Sequence, residues 1–417
     1  MMDNNLIIGL TGPFNCGCTT ISKSLEKNGW VRFKLSDILR EMCKGDRGKL
    51  QDQGNDLRKK DIEAGNNGGI LIRKAFEKIK DKIDDNNIVL ECIKNPSEIM
   101  ELKKRPNAYL ISINAFFSKR WERSKKKGEK DWGKFEATSE RDKNENLITE
   151  YEGKSFYYGQ EVQKCVDIAD IAINNSINYK DEDRIDSVLF NKISHFIAIL
   201  KSPKRMIPSQ PELLMNNAYC TSLLSRCLKR QTGAIIVIND QYVISSGYNT
   251  VPFNETDCKV EYAGKCYRDK KFKEILDGIK FCPECGKSML HSHSLDKSCT
   301  NAKCKYYDKK NFLKKSFIYG KGLDVCRALH AEESAILQSS HLGGGISLEG
   351  ATLYTTTFPC MLCAKKIIDV RIKKIIYIEP YPMREAFDML DKADVKIEQF
   401  EGVKAQSFFN LYKKYDI

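Results

Sequence analysis

A chain of 417 residues, 41% of them hydrophobic and with a formal net charge of +13, is too long for one ordinary core and too apolar to stay unfolded. The excess of Lys and Arg favours acidic partners such as nucleotides or nucleic acid, although a Lys-rich surface also serves solubility alone. Sixteen cysteines, several in C-x₂-C pairs and behind no basic, long apolar leader, are expected to serve metals rather than a secreted disulfide framework, and no stretch is apolar for long enough to span a bilayer. The expectation is a reducing cytoplasm and no membrane partner.

Leu6-Ile7-Ile8-Gly9-Leu10 is a short apolar run of the buried-strand type. The turn Gly12-Pro13-Phe14-Asn15-Cys16-Gly17-Cys18-Thr19 follows, and Thr19 to Lys27 has helical spacing. The turn fits the P-loop pattern G-x₄-G-K-[ST] except that Cys18 stands where the pattern has Lys. Gly12, Asn15, Gly17, Cys18, Thr19 and Thr20 are the expected nucleotide-binding residues, because glycine-rich backbone opening a helix makes an anion nest. Thr19 is placed to reach Mg²⁺. Without the lysine, nucleotide binding is expected to survive better than phosphoryl transfer. A degenerate fold kept as a passive scaffold is the alternative.

Ile88-Val89-Leu90 and Ala108 to Ile113 read as further buried strands, with charged helical segments between them. That alternation predicts an α/β domain with a parallel sheet. Residues 119–147 are dense in Lys and Arg, which suits either a lid over phosphates or a solvated helix face. The prolines Pro203, Pro208 and Pro211 place the domain boundary, giving residues 1–202 and 203–417.

In the second part, Gly233 to Ile238 and Tyr242 to Ser246 read as a hairpin around Asn239-Asp240. Thr352 to Thr355 and Lys374 to Ile378 are later strands, joined by a crossover helix over Cys363 to Val370. Residues 254–325 form an insertion. Cys282-Pro283-Glu284-Cys285-Gly286 is a zinc-knuckle turn, and Cys299 and Cys304 complete a Cys₄ structural zinc site, with His291 and His293 as competing ligands. Cys258, Cys266 and Cys326 have no assigned role. The neighbouring lysines leave nucleic-acid binding open as a second use of this zinc ribbon.

His330-Ala331-Glu332, followed by Pro359-Cys360-Met361-Leu362-Cys363, has the form H-x-E…P-C-x-x-C that zinc-dependent nucleobase deaminases share. One imidazole and two thiolates fill three positions around Zn²⁺ and leave the fourth for water, whose pKa the metal lowers. Glu332 is the expected catalytic proton carrier. Glu333, one helical step on, is turned by about 100° from it. A closed structural site is the alternative, but no fourth protein ligand lies beside the set in sequence.

From about Tyr219 to Gly402 the chain resembles the deoxycytidylate deaminase branch of the cytidine deaminase superfamily. Gly247-Tyr248-Asn249-Thr250-Val251-Pro252 is similar to that family's G-x-N-x-x-P. The resemblance implies that Asn249 contacts the deoxyribose and Phe358 walls the base. It also puts Tyr381, in Tyr377-Ile378-Glu379-Pro380-Tyr381-Pro382, near the substrate. Core packing is the alternative for both aromatics.

The first part resembles P-loop nucleoside-monophosphate and dephospho-coenzyme A kinases through Gly9-Leu10-Thr11-Gly12, Leu35 to Arg40, Gln53 to Arg58 and Glu91 to Pro96. Glu91 stands where those kinases usually keep an Asp. Taken together, the chain resembles bacterial antiphage deoxycytidine deaminases, from which it departs at Lys404. That resemblance implies conversion of dCTP or dCMP to the uracil nucleotide and ammonia, and depletion of dCTP in defence. It further implies gating by the P-loop domain, a regulatory nucleotide or an inhibitory RNA or other regulator, and a homo-oligomer. A polynucleotide (RNA or single-stranded DNA) cytidine deaminase, or a nucleotide-sensing protein with vestigial chemistry, are the alternatives.

Overall fold

The computed structural model describes residues 5–42, 47–176, 182–203, 205–278, 285–287, 289–290, 298–299, 301–304, 326–341, 347–379 and 384–412. The chain forms two units: Met1–Asn216 together with Gln399–Ile417, and Asn217–Glu398. The expected division after residue 202, with everything beyond it in one domain, therefore needs correction. The prolines interrupt helices, but Glu212 beyond them accepts hydrogen bonds from Val403 N at 2.7 Å and Tyr412 Oη at 3.0 Å. The C-terminal segment thus returns to the first unit.

The first unit contains β1 (Ile7–Thr11), β2 (Val31–Lys34), β3 (Ile88–Ile93), β4 (Ala108–Asn114), a separate antiparallel ribbon of β5 (Ile148–Tyr151) and β6 (Lys154–Tyr157), and β7 (Ile171–Asn174). β1 pairs in parallel with β3 and β4, β2 with β3, and β4 with β7. Ile8 and Leu10 enter one apolar cluster while Ile7, Leu90 and Leu110 enter another. Both faces of the sheet are therefore covered, which is why β1 and β3 read as unbroken apolar runs. β1 has β3 on one side and β4 on the other, so the chain leaving it opens at a switch in strand order. Parallel α/β sheets place ligands at such crevices.

The second unit holds β8 (Gly233–Ile238), β9 (Tyr242–Tyr248), a short antiparallel pair β10 (Met289–Leu290) and β11 (Ser298–Cys299), β12 (Thr352–Thr357), β13 (Lys374–Glu379) and β14 (Lys396–Gln399). The main sheet runs β14-β13-β12-β8-β9, with β12 and β13 parallel and β8 antiparallel to both its neighbours. The β8–β9 turn has φ of 52° at Asn239 and 53° at Asp240, a left-handed pair closed by Gln241 N donating to Ile238 O at 3.1 Å. Among the described residues no helix is long and apolar enough to cross a membrane.

β2, β5, β6, β7, β10, β11 and β14 escape the sequence reading, as does one more strand near the C-terminus. β15 (Gly402–Val403) pairs antiparallel with β7 and closes the first sheet. Lys404, where the resemblance to the antiphage deaminases ends, is buried, and its Nζ donates to Val166 O at 2.7 Å and Asp167 O at 2.6 Å. Replacing Lys404 with Met removes both charge-assisted bonds and is expected to cost about 2 kcal/mol of first-unit stability. Thermal unfolding followed by circular dichroism checks this.

Candidate metal centre

The centre is assembled at the starts of two helices. Helix Ala331–His341 lies on β8 and β9. Gly247 permits that contact, since a Cβ there would stand 2.3 Å from both Ala331 O and Ala335 N. An isolated antiparallel bridge between Thr250 and Leu329 fixes the approach to His330. His330 O accepts from Ser334 N at 2.8 Å, so His330 caps the helix and Glu332 falls in its first turn. β12 leads through Phe358-Pro359 to the helix Met361–Asp369, whose N-cap is Cys360, and Cys363 lies in its first turn. The positive helix end favours thiolate at both positions.

His330 Nδ1 lies 3.2 Å from Cys360 Sγ and 3.4 Å from Cys363 Sγ. Among the described residues this is the only set of three His, Cys, Asp or Glu donors whose ligand atoms come within 4.8 Å of one another. Two buried thiols and one imidazole suit Zn²⁺, and three protein donors leave a coordination position open. The hydrogen bond from Cys363 and the contact with His330 hold the Cys360 thiol down at about 4, against the opposing effect of burial. Cys363, on the other side of that bond and buried, is pushed well up. Burial pulls His330 down, but its bond to Cys360 and the charge of Glu332 outweigh it, leaving His330 above its ordinary value.

Glu332 is 4% exposed, with Oε2 3.5 Å from Cys363 Sγ. Burial lifts its carboxyl above the usual range, which moves it toward the pH at which a carboxyl can both accept and return a proton. Thr355, fully buried on β12, donates to Thr357 O at 2.9 Å, and its Oγ1 lies 3.4 Å from Glu332 Oε1. Sequence reasoning missed Thr355. The signal was the run Thr355-Thr356-Thr357 inside a wholly buried strand, where each hydroxyl needs a partner. Glu333 instead pairs with Lys366.

The other expected contacts fare differently. Asn249 Nδ2 donates to Arg230 O at 2.8 Å and its Oδ1 accepts from Thr232 N at 2.7 Å, so its amide braces the 230–232 backbone. One N–H and one lone pair stay available to a ligand. Phe358 is buried edge-on against Tyr377 at 4.9 Å, a packing role. Tyr381, Cys282, His291 and His293 lie outside the described residues, as does the side chain of Cys299. Cys285 and Cys304 are among the described residues.

In the first unit, Gly12, Asn15 and Gly17 have φ of 154°, 61° and 116°, and no side chain caps the helix Cys18–Lys27. Residues from Gly12 to Thr20 line a cavity of about 930 Å³ together with Lys34, Glu91, Lys94 and Asn175. Cys18 turns inward, its Sγ 3.5 Å from Cys16 Sγ in the apolar core. Thr19 Oγ1 donates to Glu91 Oε1 at 2.5 Å.

The family profile of the cytidine and deoxycytidylate deaminase zinc-binding region matches residues 208–379. The deoxycytidylate deaminase of Enterobacteria phage T4 is 31% identical over 185 residues, covering 43% of this chain and 84% of that protein. The chain belongs to the cytidine and deoxycytidylate deaminase family. It is a hydrolytic deaminase, and its His330, Cys360 and Cys363 are the donors that suit the family's zinc. The Schizosaccharomyces pombe deoxycytidylate deaminase is 25% identical over 406 residues, covering 94% of this chain and 97% of that protein. A cyanophage S-TIM5 dCMP deaminase, solved with dCMP and dUMP, is 21% identical, covers 47% of this deaminase and 100% of its own chain, and has a TM-score of 0.29.

Cys363→Ser is expected to lower bound zinc and ammonia release together, as elemental analysis and a coupled ammonia assay will report. Gly247→Ala should push the helix bearing Glu332 off β9 and cost about 1–3 kcal/mol, as for other overpacked cores. Thermal melts alongside turnover measurements check that expectation.

Proposed function

We propose that this deaminase converts dCMP, dCTP or both to the corresponding deoxyuridine nucleotide and ammonia. We further propose that it depletes dCTP in antiphage defence within a reducing cytoplasm, as a homo-oligomer gated by nucleotide at its P-loop. The observation that carries the chemistry is the convergence of His330 Nδ1, Cys360 Sγ and Cys363 Sγ beside the buried Glu332. Zinc, when bound by these three donors, supplies a water of lowered pKa and a Lewis acid. Glu332 takes the water proton and delivers it to N3 of cytosine as the C4–O bond forms. It then takes the proton of the new C4 hydroxyl and passes it to the departing N4, so the C4–N4 bond breaks as C4=O forms, with ammonia leaving and uracil remaining. Thr355 positions Glu332 through Oε1.

The names of the phage T4 and fission-yeast relatives support a deoxycytidylate substrate. The nest geometry at Gly12, Asn15 and Gly17 supports nucleotide at the P-loop. Asn249 remains our candidate sugar contact and Tyr381 a candidate substrate neighbour. Cys282, Cys285, Cys299 and Cys304 are our candidate ligands for a structural zinc. A regulatory nucleotide, or an inhibitory RNA or other regulator, is the proposed trigger.

Purified protein incubated with free dCMP and dCTP, and separately with single-stranded DNA and RNA, is expected to form uracil only on the free nucleotides. Turnover confined to polymer would sink this reading in favour of a polynucleotide deaminase. Glu332→Gln is expected to lose at least about 10²-fold in turnover while keeping its zinc. At the P-loop, Gly17 has φ of +116° and a Cβ there would stand 2.4 Å from Asn175 Nδ2. Gly17→Arg is therefore expected to weaken nucleotide binding and disturb regulation. Unchanged regulation would mark the first unit as a scaffold.

A further inference from the structure

The cavity of the first unit carries a charge arrangement that the P-loop pattern does not account for. P-loop proteins hold Mg²⁺ between the loop Ser or Thr and a carboxylate at the end of a neighbouring strand. Here that carboxylate is Glu91, fully buried in the second half of β3. Both of its oxygens are already claimed. Oε1 accepts from Thr19 Oγ1 at 2.5 Å. Oε2 accepts from Ser22 Oγ at 2.6 Å, Arg32 Nη2 at 2.6 Å and Arg32 Nε at 3.0 Å. Lys34 Nζ stands 3.9 Å from Oε1. Burial raises the Glu91 carboxyl, but these hydrogen bonds outweigh it and keep it ionised below its ordinary value. A guanidinium thus already neutralises Glu91 through Oε2, and a dication brought to Oε1 would compete with that charge and with Thr19.

The loop's missing positive charge is replaced from another element. Arg123, on the helix Phe117–Lys126, donates to Cys16 O at 3.2 Å and Asn175 O at 2.6 Å, which holds the loop in its nest form. Lys127, which caps that helix, reaches Asn15 Oδ1 at 3.1 Å. Two amide atoms at the cavity wall, Asn15 Nδ2 and Asn175 Oδ1, are buried without a hydrogen-bond partner, and Asn175 is 2% exposed. Buried amide atoms of this kind are normally satisfied, and a ligand with both acceptors and donors satisfies them.

We propose that this cavity takes the phosphates of a nucleotide in magnesium-free form, with Arg32 standing against Glu91 in place of the divalent ion and Lys127 in place of the loop lysine. The proposal rests on the reading of the first unit as nucleotide-binding, and it names the form of the ligand. Such a site retains its ligand without transferring a phosphoryl group, since no metal bridges the phosphates and no loop lysine follows the charge as it moves. It suits a sensor of nucleotide level.

The test is calorimetric titration of the zinc-loaded full chain with ATP, and with inorganic tripolyphosphate as a base-independent probe. Each is run in buffer passed over chelating resin and again with excess MgCl₂. Affinity is expected to be equal or weaker with magnesium. Glu91→Gln, which keeps the shape but frees the charge of Arg32, is expected to bind as well or better. Lys127→Met, at an exposed position, is expected to bind about tenfold more weakly in both buffers. Binding at least about tenfold tighter with magnesium, or lost in Glu91→Gln, overturns the proposal while leaving the nucleotide-binding reading standing. No binding of either probe in either buffer by a protein that still releases ammonia overturns that reading as well.

Discussion

Two helix starts brought to one point are the constraint on which the catalytic half depends. His330 ends one approach and Cys360 the other, and each occupies a cap position where the backbone leaves an extended path and begins to turn. Side chains there point off the helix end and share its positive potential with whatever they ligate. The β12–β8–β9 pairing sets the spacing between the two starts. Gly247 lets the first helix sink onto β9 far enough for the imidazole to meet the thiols. The metal chemistry is thus a property of two local turns, while its geometry belongs to a sheet.

The same logic of buried charge runs through the first unit with a different outcome. In the deaminase centre burial strips a carboxyl of water, and its proton affinity rises. Beside the glycine turn of the first unit a buried carboxyl is surrounded by donors and a guanidinium, and its proton affinity falls. A carboxyl that must exchange a proton needs the first environment. One that must stay charged and hold a loop needs the second. The 59-residue separation of Arg32 from Glu91 shows how far apart in sequence the neutralising partner can lie.

The C-terminal segment ties the chain's end back to the first unit. β15 extends its sheet, Glu212 gathers Val403 and Tyr412, and Lys404 reaches carbonyls 238 residues upstream. A division of the chain at its proline cluster misses this because prolines report where a helix breaks, not which segments later share a core. The expected strands of β1, β3, β4, β8, β9, β12 and β13 were readable because each is a buried apolar run or a hairpin with its own turn residues. β15, of two residues, has no periodicity to read.

His330, Glu332, Cys360 and Cys363 were legible in the sequence because the chemistry constrains residue type, and the short spacings His330–Glu332 and Cys360–Cys363 are local. The glycine turn after β1 was legible because left-handed backbone at Gly12 and Gly17 leaves a compositional mark. The sequence could not show that Thr355 braces Glu332, that Asn249 spends part of its amide on backbone, that Phe358 packs on Tyr377, or that Arg32 occupies Glu91. Those are contacts between segments far apart in the chain, and no short-range pattern encodes them. Residue identity and local spacing determined which donors this protein possesses. Packing decided which of them meet, because only the folded sheets fix distances between elements that the chain itself leaves free.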